Sequence, residues 1–233
     1  MPQIKREKIQ FSILQRQDID GVCSCLAKAF SQREPLAKHM QITVEDFYVL
    51  ARYLCDKAER QQLSLVAKDT LTNQIVGCHI IESDTSTESE DITKRLSNKF
   101  LPIFALLEEV VKPLLTIQSS HKRVAHLFAV AVDEDYQNLG IAKKLLTLEL
   151  NLLQQRGYEW CEGEFTNPYS LKAIQSVLVS AMMYSNEIAY KTFRYRDTFP
   201  FPIDGKVVAC LYPTISLKID EKSVKIMKHV ILW

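Results

Sequence analysis

The chain has 233 residues, of which 47% are hydrophobic and 24% charged, and its formal net charge is +1. This composition is typical of a globular protein rather than a disordered or fibrous one. A charge so close to zero excludes the strongly basic surface that nucleic-acid binding requires, so no nucleic-acid partner is predicted. Six scattered cysteines without C-x-x-C spacing predict reduced thiols in a cytoplasmic protein and no metal site.

The sequence also argues against a membrane partner. The N-terminal stretch MPQIKREKIQFSI is too charged to hold the apolar core of a signal peptide. The most apolar segment, Phe100 to Ile117, carries Glu108, Glu109 and Lys112. Each such charge costs about 2.5–3.5 kcal/mol at the centre of a membrane helix. We therefore expect this segment to be a buried or interfacial helix.

The first half of the chain predicts a strand at 8–15, helices at 19–30 and 43–60, and a β-hairpin whose strands lie at 63–69 and 75–83. Asp18 is the predicted N-cap of the first helix. Thr43 with Asp46 three residues later resembles a capping box for the second helix. The acidic stretch that follows, at 83–94, has few apolar residues and predicts a mobile surface loop.

The second half predicts helices at 100–118, 138–156 and 167–181 and strands at 124–132, 158–165, 187–195 and 206–219. Pro113 predicts a kink or break, Gly157 a C-terminal cap and Asn167 an N-cap. The strand VAHLFAVAV is almost continuously apolar, which predicts burial on both faces. Because no repeat and no Gly-, Ser- or Pro-rich linker divides the chain, we predict one mixed α/β domain over residues 1–233, with an inserted loop and helix near 85–120.

The turn between the strand VAHLFAVAV and the next helix has the pattern of an anion-binding site. Its residues are Gln137, Asn138, Leu139, Gly140, Ile141 and Ala142. A helix start leaves backbone N–H groups unpaired and favours negative charge. The small side chains at Gly140 and Ala142 let a phosphate approach those groups, and Gln137 adds an amide donor. The alternative is a helix start at which Gly and Ala serve packing alone.

This turn resembles the [QR]-x-x-G-x-[GA] signature of the GNAT superfamily of N-acetyltransferases, where it binds the pyrophosphate of acetyl-CoA. The order of elements is similar to that superfamily from residue 9 to about 217. The resemblance implies a GNAT fold of the α/β class, with a central mixed and mostly antiparallel sheet, a splayed fourth and fifth strand, and flanking helices. It implies acetyl-CoA as the cofactor, with Lys143 as a further pyrophosphate contact. The residues implied to line the pantetheine arm are Val130, Ala131 and Val132.

The stretch AFSQREPLAKHM resembles the E-P-L segment of insect arylalkylamine and dopamine N-acetyltransferases, which implies that Glu34 is a general base acting through water. FTNPYSLKAIQ is similar to a hydroxyl-bearing segment of that group and implies Thr166 and Ser170 as a proton relay. The alternative for Glu34 is a solvated loop carboxylate before a proline. Two features depart from the relatives. Ile174 stands where many superfamily members have a tyrosine acid, seven residues after an Asn, and the Gly-Phe usual before the late strands is missing.

His126 is a further candidate catalytic residue on the apolar strand. The resemblance to vertebrate arylalkylamine enzymes, which have His at two alternate positions there, covers only one position, because the second holds Phe128. A hydrogen-bonded core histidine is the alternative. Cys161 can be considered as a nucleophile for a two-step route, but most such thiols are core residues and direct transfer is simpler.

The resemblance implies an acetyl-CoA-dependent N-acetyltransferase that transfers acetyl directly to a small primary amine. An arylalkylamine is favoured because aromatic and aliphatic residues are predicted on the acceptor side, namely Phe100, Phe104, Leu106, Leu107, Phe193 and Tyr195. A polyamine would need an acidic cleft, and the acidic STESED is predicted to be a flexible loop. The alternatives are a protein or peptide N-acetyltransferase and a non-catalytic acyl-CoA-binding module. The sequence makes no prediction of the oligomeric state.

Overall fold

The computed structural model describes residues 8–83, 92–118, 123–178 and 184–214, which are built around one seven-stranded sheet. The strands are β1 (Ile9–Ile13), β2 (Leu65–Asp69), β3 (Ile75–Ser83), β4 (Val124–Val132), β5 (Trp160–Phe165), β6 (Tyr184–Ala189) and β7 (Lys206–Pro213). Their order is β1-β2-β3-β4-β5-β7-β6, and every neighbouring pair is antiparallel except the parallel pair β4 and β5. This is the mixed, mostly antiparallel sheet that the sequence predicted.

Helices cover both faces of the sheet. They are α1 (Ile19–Arg33), α2 (Pro35–His39), α3 (Val44–Gln61), α4 (Leu101–Gln118), α5 (Ile141–Gln155) and α6 (Pro168–Gln175). The larger apolar core lies between the sheet and α1, α3 and α4. Two smaller cores lie under α5 and α6 on the other face. The apolar stripe of each helix is therefore buried against the sheet, as amphipathic patterning requires.

Local capping signals fix several helix ends where the sequence predicted them. Thr43 Oγ1 accepts from Asp46 N at 3.1 Å, and Asp46 Oδ2 accepts from Thr43 N at 3.3 Å, which completes the capping box of α3. Asn167 Oδ1 accepts from the N–H groups of Tyr169 and Ser170, both at 3.0 Å, at the start of α6. Both predicted caps are confirmed.

The parallel pair β4 and β5 is joined over only three residue positions. Val124, Ala125 and His126 pair with Trp160, Cys161 and Glu162. Within the described residues, the rest of β4 has no pairing partner on the β5 side. The predicted splay of the fourth and fifth strands is confirmed, and it leaves an open backbone edge inside the sheet.

Three helix predictions need correction. α1 continues to Arg33 rather than ending at Phe30, and it stops there because the residue before Pro35 is disfavoured in the α region. α5 begins at Ile141 rather than Asn138, since left-handed φ angles at Asn138 and Gly140 are incompatible with an α-helix. α6 ends at Gln175, short of the predicted end at residue 181.

Asp18 precedes α1 but does not cap it with its side chain. Its carboxylate accepts instead from Lys68 Nζ at 2.7 Å and from Gln15 N at 3.3 Å. Asp18 therefore occupies the predicted N-cap position of α1, but its carboxylate makes no capping bond there, because a lysine from the neighbouring strand and an upstream backbone group compete for it.

Two strand predictions are also wrong in detail. β4 is not buried on both faces, since from Leu127 onward buried residues alternate with partly exposed ones. The partly exposed residues are His126, Phe128, Val130 and Val132, and they do not share one face, because a bulge interrupts the pairing with β3 between Leu127 and Ala129. The strand predicted at 187–195 ends at Ala189 and is followed by a 3₁₀ turn at Tyr190–Thr192, where Tyr190 N donates to Gly205 O at 3.0 Å.

The acidic loop predicted at 83–94 and the end of the last predicted strand lie largely outside the described residues. None of the helices within the described ranges is both long and apolar enough to cross a membrane.

Candidate active site

The open edge of β4 presents backbone groups to the splay. Asp133 N donates to Val76 O at 2.9 Å, just beyond the pair formed by Val132 and Gly77. In an antiparallel ladder this bond makes Val132 and Gly77 a non-hydrogen-bonded pair, so the N–H and C=O of Val132 point away from β3. By the same alternation the N–H and C=O of Val130 also point into the splay, whereas Ala131 directs its backbone groups to β3.

A short loop after β4 leads into the start of α5. Asp133 Oδ1 accepts from Asp135 N at 3.1 Å, and the buried Tyr136 donates its hydroxyl to Asp69 Oδ2 at 2.7 Å. These bonds anchor the loop to β2. Gln137, Asn138 and the backbone around Gly140 are exposed beyond this anchor.

The start of α5 has the geometry of an anion cradle. Gly140 is its N-cap with φ 77°, and a Cβ atom built there would meet nothing within 4 Å. The first hydrogen bond of the helix that reaches Gly140 runs from the N–H of Lys144 to the Gly140 carbonyl, at 3.0 Å. The N–H groups of Ile141, Ala142 and Lys143 precede that bond and face the open space at Gly140. These groups fit a phosphate, and the dipole of α5 adds a favourable charge effect.

Glu34 lies at the junction of α1 and α2, and it is buried, with 8% of its surface exposed. Its carboxylate accepts from Leu36 N at 3.1 Å and from Ala37 N at 2.6 Å, so it caps α2. Burial raises the pKa of Glu34 above its ordinary value of 4.5, and hydrogen bonds from Ala37 N, Thr166 and Leu36 N offset this only in part. The alternative interpretation of Glu34 as a solvated loop carboxylate is wrong.

Thr166 directly follows β5, and its side chain interacts with the Glu34 carboxylate. The buried Tyr190 donates its hydroxyl to the carbonyl of Thr166. Burial, and then the charge of Glu34, raise the pKa of the Tyr190 phenol. The fold thus brings together two of the predicted catalytic residues, and it adds Tyr190, which the sequence prediction placed inside a strand.

Ser170 lies one turn into α6. Its hydroxyl donates to Asn167 O at 3.1 Å, and its N–H to Asn167 Oδ1 at 3.0 Å. These bonds attach Ser170 to the cap of its own helix rather than to Glu34.

His126 lies within a group of carboxylates on the face of the sheet that α1, α3 and α4 cover. Its Nε2 is 2.8 Å from Glu164 Oε2, and its Nδ1 is 3.8 Å from Glu82 Oε2. Burial by itself lowers the pKa of His126, but the carboxylates of Glu164, Glu82 and Glu162 outweigh it and raise the pKa to about 10. An imidazole held as the cation at neutral pH donates a proton but does not accept one, so the geometry favours the hydrogen-bonded role over a base.

These carboxylates were missed by the sequence prediction, which looked for acidity only in the loop. Lys57 Nζ lies 3.1 Å from Glu82 Oε1, and Gln118 Nε2 donates to Glu162 Oε1 at 2.9 Å. Glu162 and Glu164 alternate along β5 and share one face. The sequence did contain an indication of this group, since a glutamate inside an otherwise apolar strand requires a hydrogen-bond or charge partner.

The aromatic residues predicted on the acceptor side are mostly part of the core. Phe100, Leu106 and Phe193 are buried. Phe100 packs against Phe104 with ring centroids 5.7 Å apart, and Phe193 stacks on Phe201 at 6.0 Å. Their packing weakens the reason for preferring an aromatic acceptor.

Several solved structures share this fold. Arylalkylamine N-acetyltransferase 2 from Aedes aegypti superposes with a TM-score of 0.74 at 19% identity, over 88% of this chain and 99% of that one. The C-terminal condensation domain of Ebony in complex with β-alanyl-dopamine superposes with a TM-score of 0.75 at 15% identity, over 88% of this chain and 99% of that one. Drosophila melanogaster polyamine N-acetyltransferase superposes with a TM-score of 0.69 at 16% identity, over 87% of this chain and 98% of that one. These similarities establish the fold.

No curated protein sequence matches the chain. The model of the acetyltransferase (GNAT) family matches residues 30–176, which is more than half of the 233 residues and includes Glu34, the open edge of β4, the cradle and α6. The chain therefore belongs to the acetyltransferase (GNAT) family, as its sequence predicted.

Proposed function

We propose that this protein is an acetyl-CoA-dependent N-acetyltransferase that transfers acetyl directly to a small primary amine. The observation that carries the proposal is that one strand, loop and helix offer two complementary surfaces. Val130 presents its N–H and C=O, and Val132 its N–H, to an extended amide-containing arm, while the Val132 carbonyl accepts from Arg33 Nη2 at 2.6 Å. The start of α5 presents N–H groups for phosphate. The bound cofactor supplies the acetyl group as a thioester.

Glu34 is the proposed general base, acting through water. An alkylamine is mostly protonated at neutral pH, so the reaction needs a group that removes a proton. The raised pKa of Glu34 strengthens it as a base, and the two α2 N–H groups fix its orientation. Thr166, beside Glu34, is the proposed next member of a proton path, with Ser170 on α6 as its third member.

The acceptor class has two candidates. The first is an arylalkylamine, which the fold shared with the Aedes aegypti enzyme supports. The second is a dicationic amine, and a specific feature of this chain favours it. Glu82, Glu162 and Glu164 lie around His126 where β4 and β5 separate. Such carboxylates attract a second positive charge on the acceptor.

A protein or peptide acceptor and a non-catalytic acyl-CoA-binding module are the remaining alternatives. Neither has a feature in the described residues that favours it over a small amine. We also propose a cytoplasmic location, which the six buried thiols outside any disulfide support.

The test measures free thiol released from acetyl-CoA with tryptamine, dopamine, phenethylamine, agmatine, spermidine and a short peptide, beside calorimetric binding of CoA. Turnover of the small amines supports the proposal, and turnover of the peptide alone replaces it with the peptide alternative. CoA binding without transfer to any acceptor supports the non-catalytic module. Absence of CoA binding overturns the cofactor assignment itself.

The variant Glu164→Gln separates the two acceptor classes. If the carboxylates attract a second charge, kcat/KM for agmatine and spermidine falls at least fivefold more than kcat/KM for phenethylamine. Glu187→Gln is the matched control, because Glu187 is exposed on β6 and, within the described residues, forms an ion pair only with Lys206, at 2.6 Å. An equal fall for both classes of amine would show that Glu164 acts on the fold and not on acceptor choice.

A further inference from the structure

Arg33 is the last residue of α1 and directly precedes Glu34. The two side chains leave the helix junction in different directions. Glu34 is buried, whereas Arg33 is exposed and its Nη2 donates to Val132 O at 2.6 Å. The sequence prediction assigned Arg33 no role.

The carbonyl that Arg33 contacts is one of those that face the splay. Val132 is the last residue of β4, and the loop to the anion cradle begins at the next residue. The guanidinium therefore lies at the mouth of the splay, on the side where the chain turns toward α5. Its charge has no carboxylate partner within 4.0 Å among the described residues. Of its five N–H donors, the bond to Val132 uses one.

We propose that Arg33 binds a phosphate group of the acyl-CoA cofactor, together with the N–H groups at the start of α5. This inference rests on the proposed function, because it assumes that the cofactor occupies the splay. The planar guanidinium suits phosphate oxygens, and an exposed cation with spare donors at this mouth is complementary to the cofactor's negative end. Because Arg33 adjoins Glu34, one helix junction then contacts both the cofactor and the proposed base.

A structural bond alone would predict different behaviour. If Arg33 only ties α1 to β4, its removal frees the Val132 carbonyl for the pantetheine arm, and CoA binding is unchanged or tighter. If Arg33 holds a phosphate, its removal weakens every ligand that carries that phosphate and spares a ligand without one. The two interpretations therefore differ in the sign of the effect.

The experiment measures CoA binding by calorimetry for the wild type, Arg33→Gln and Lys38→Ala. Lys38 is the matched control, an exposed cation on α2 that loses the same charge. We expect Arg33→Gln to weaken CoA binding about tenfold, as for loss of a charge-assisted hydrogen bond, and to flatten its dependence on salt. Lys38→Ala should bind CoA like the wild type. Thermal unfolding without ligand checks that each variant is folded.

Two further ligands identify the phosphate. The KM for S-acetylpantetheine, which has no nucleotide, should be the same in the wild type and Arg33→Gln. A tenfold loss that persists with dephospho-CoA assigns Arg33 to the diphosphate, and a loss that disappears assigns it to the 3′-phosphate. Equal or tighter CoA binding by Arg33→Gln overturns the inference, while failure of the wild type to bind CoA overturns the proposed function instead.

Discussion

The side chain of Thr166, just beyond the end of β5, interacts with the Glu34 carboxylate at the junction of α1 and α2. These residues come from opposite halves of the chain, and the sheet brings them together. The same carboxylate caps α2 through Leu36 N and Ala37 N. Glu34 therefore has both a structural and a proposed catalytic role, and experiments must separate them.

Glu34→Gln should lower kcat by about a hundredfold or more, because a positioned general base increases the reaction rate by roughly 10²–10⁴-fold. The Kd for CoA should be unchanged. The amide presents one oxygen instead of two to the N–H groups of α2, so we also expect a loss of stability of about 1 kcal/mol. Steady-state kinetics, calorimetry and denaturant unfolding measure these three quantities.

Thr43→Ala is the control for the capping effect, since Thr43 caps α3 through its own hydroxyl. It should cost about 1 kcal/mol of stability and leave kcat unchanged. If Glu34→Gln retains kcat within twofold of the wild type, Glu34 is a helix cap only and another group is the base.

Thr166→Val should shift the pH dependence of activity. A base works when ionised, so activity rises with pH through the pKa of Glu34, which burial holds above 4.5. The Thr166 interaction lowers that pKa, so its removal raises the pKa and moves the acidic limb of the kcat profile to higher pH. Profiles of kcat against pH for both proteins test this shift.

Ser170→Ala is the matched loss of a hydroxyl on the same segment. Its hydroxyl donates to Asn167 O, so the acidic limb should stay in place. A lower kcat at all pH values would support Ser170 as a member of the relay. If the acidic limb does not move in Thr166→Val, Thr166 does not influence the ionisation of the base.

Features set by neighbouring residues were the most predictable from the sequence. The capping box of α3 and the Asn167 cap depend on contacts within a few residues, and both lie where the pattern indicated. The predicted sheet with its splayed strands is likewise confirmed. These features follow from periodicity and turn chemistry, or from resemblance to a family with the same order of elements.

Contacts between distant segments were not predictable in this way. Tyr190 reaches Thr166, and Arg33 reaches Val132, only because the sheet places those segments side by side. The partly exposed positions of β4 were missed for the same reason, since an apolar run does not show which of its positions the neighbouring elements cover. Composition of a strand predicts its burial only when its neighbours are known.

Gly140→Ala should weaken CoA binding as well as destabilise the fold. The residue has φ 77°, where an L side chain costs about 1–2 kcal/mol, but its Cβ would meet no protein atom within 4 Å. The added methyl group instead enters the space in front of the α5 N–H groups, which the phosphate needs. Calorimetry should show a Kd for CoA raised at least tenfold.

Gly157→Ala is a matched control at the other end of α5. Gly157 also has φ 77°, and its Cβ would contact only the flexible end of Arg123, at 3.2 Å. The two variants should therefore lose similar stability, and only Gly140→Ala should lose CoA affinity. Equal CoA affinity in both would place the phosphate elsewhere.

The buried pair of His79 on β3 and Glu149 on α5 should make stability depend on pH. Glu149 Oε2 contacts His79 Nδ1, and Glu149 Oε1 accepts from Leu65 N at 3.1 Å. Burial outweighs both contacts and raises the pKa of Glu149 from 4.5 to about 7. The native state therefore keeps a proton that the unfolded state releases between these values, so the free energy of unfolding falls as pH rises from about 4.5 to 7.

Glu149→Gln removes that proton and with it this dependence. Relative to Glu149→Gln, the wild type should lose stability on the order of 1–3 kcal/mol between pH 4.5 and 7, and the difference should level off above pH 7. Denaturant unfolding at intervals of pH measures it, with the exposed Glu187→Gln as a control that should follow the wild type. A difference that grows with pH would mean that the ion pair with His79 outweighs burial and that the pKa of Glu149 is lowered.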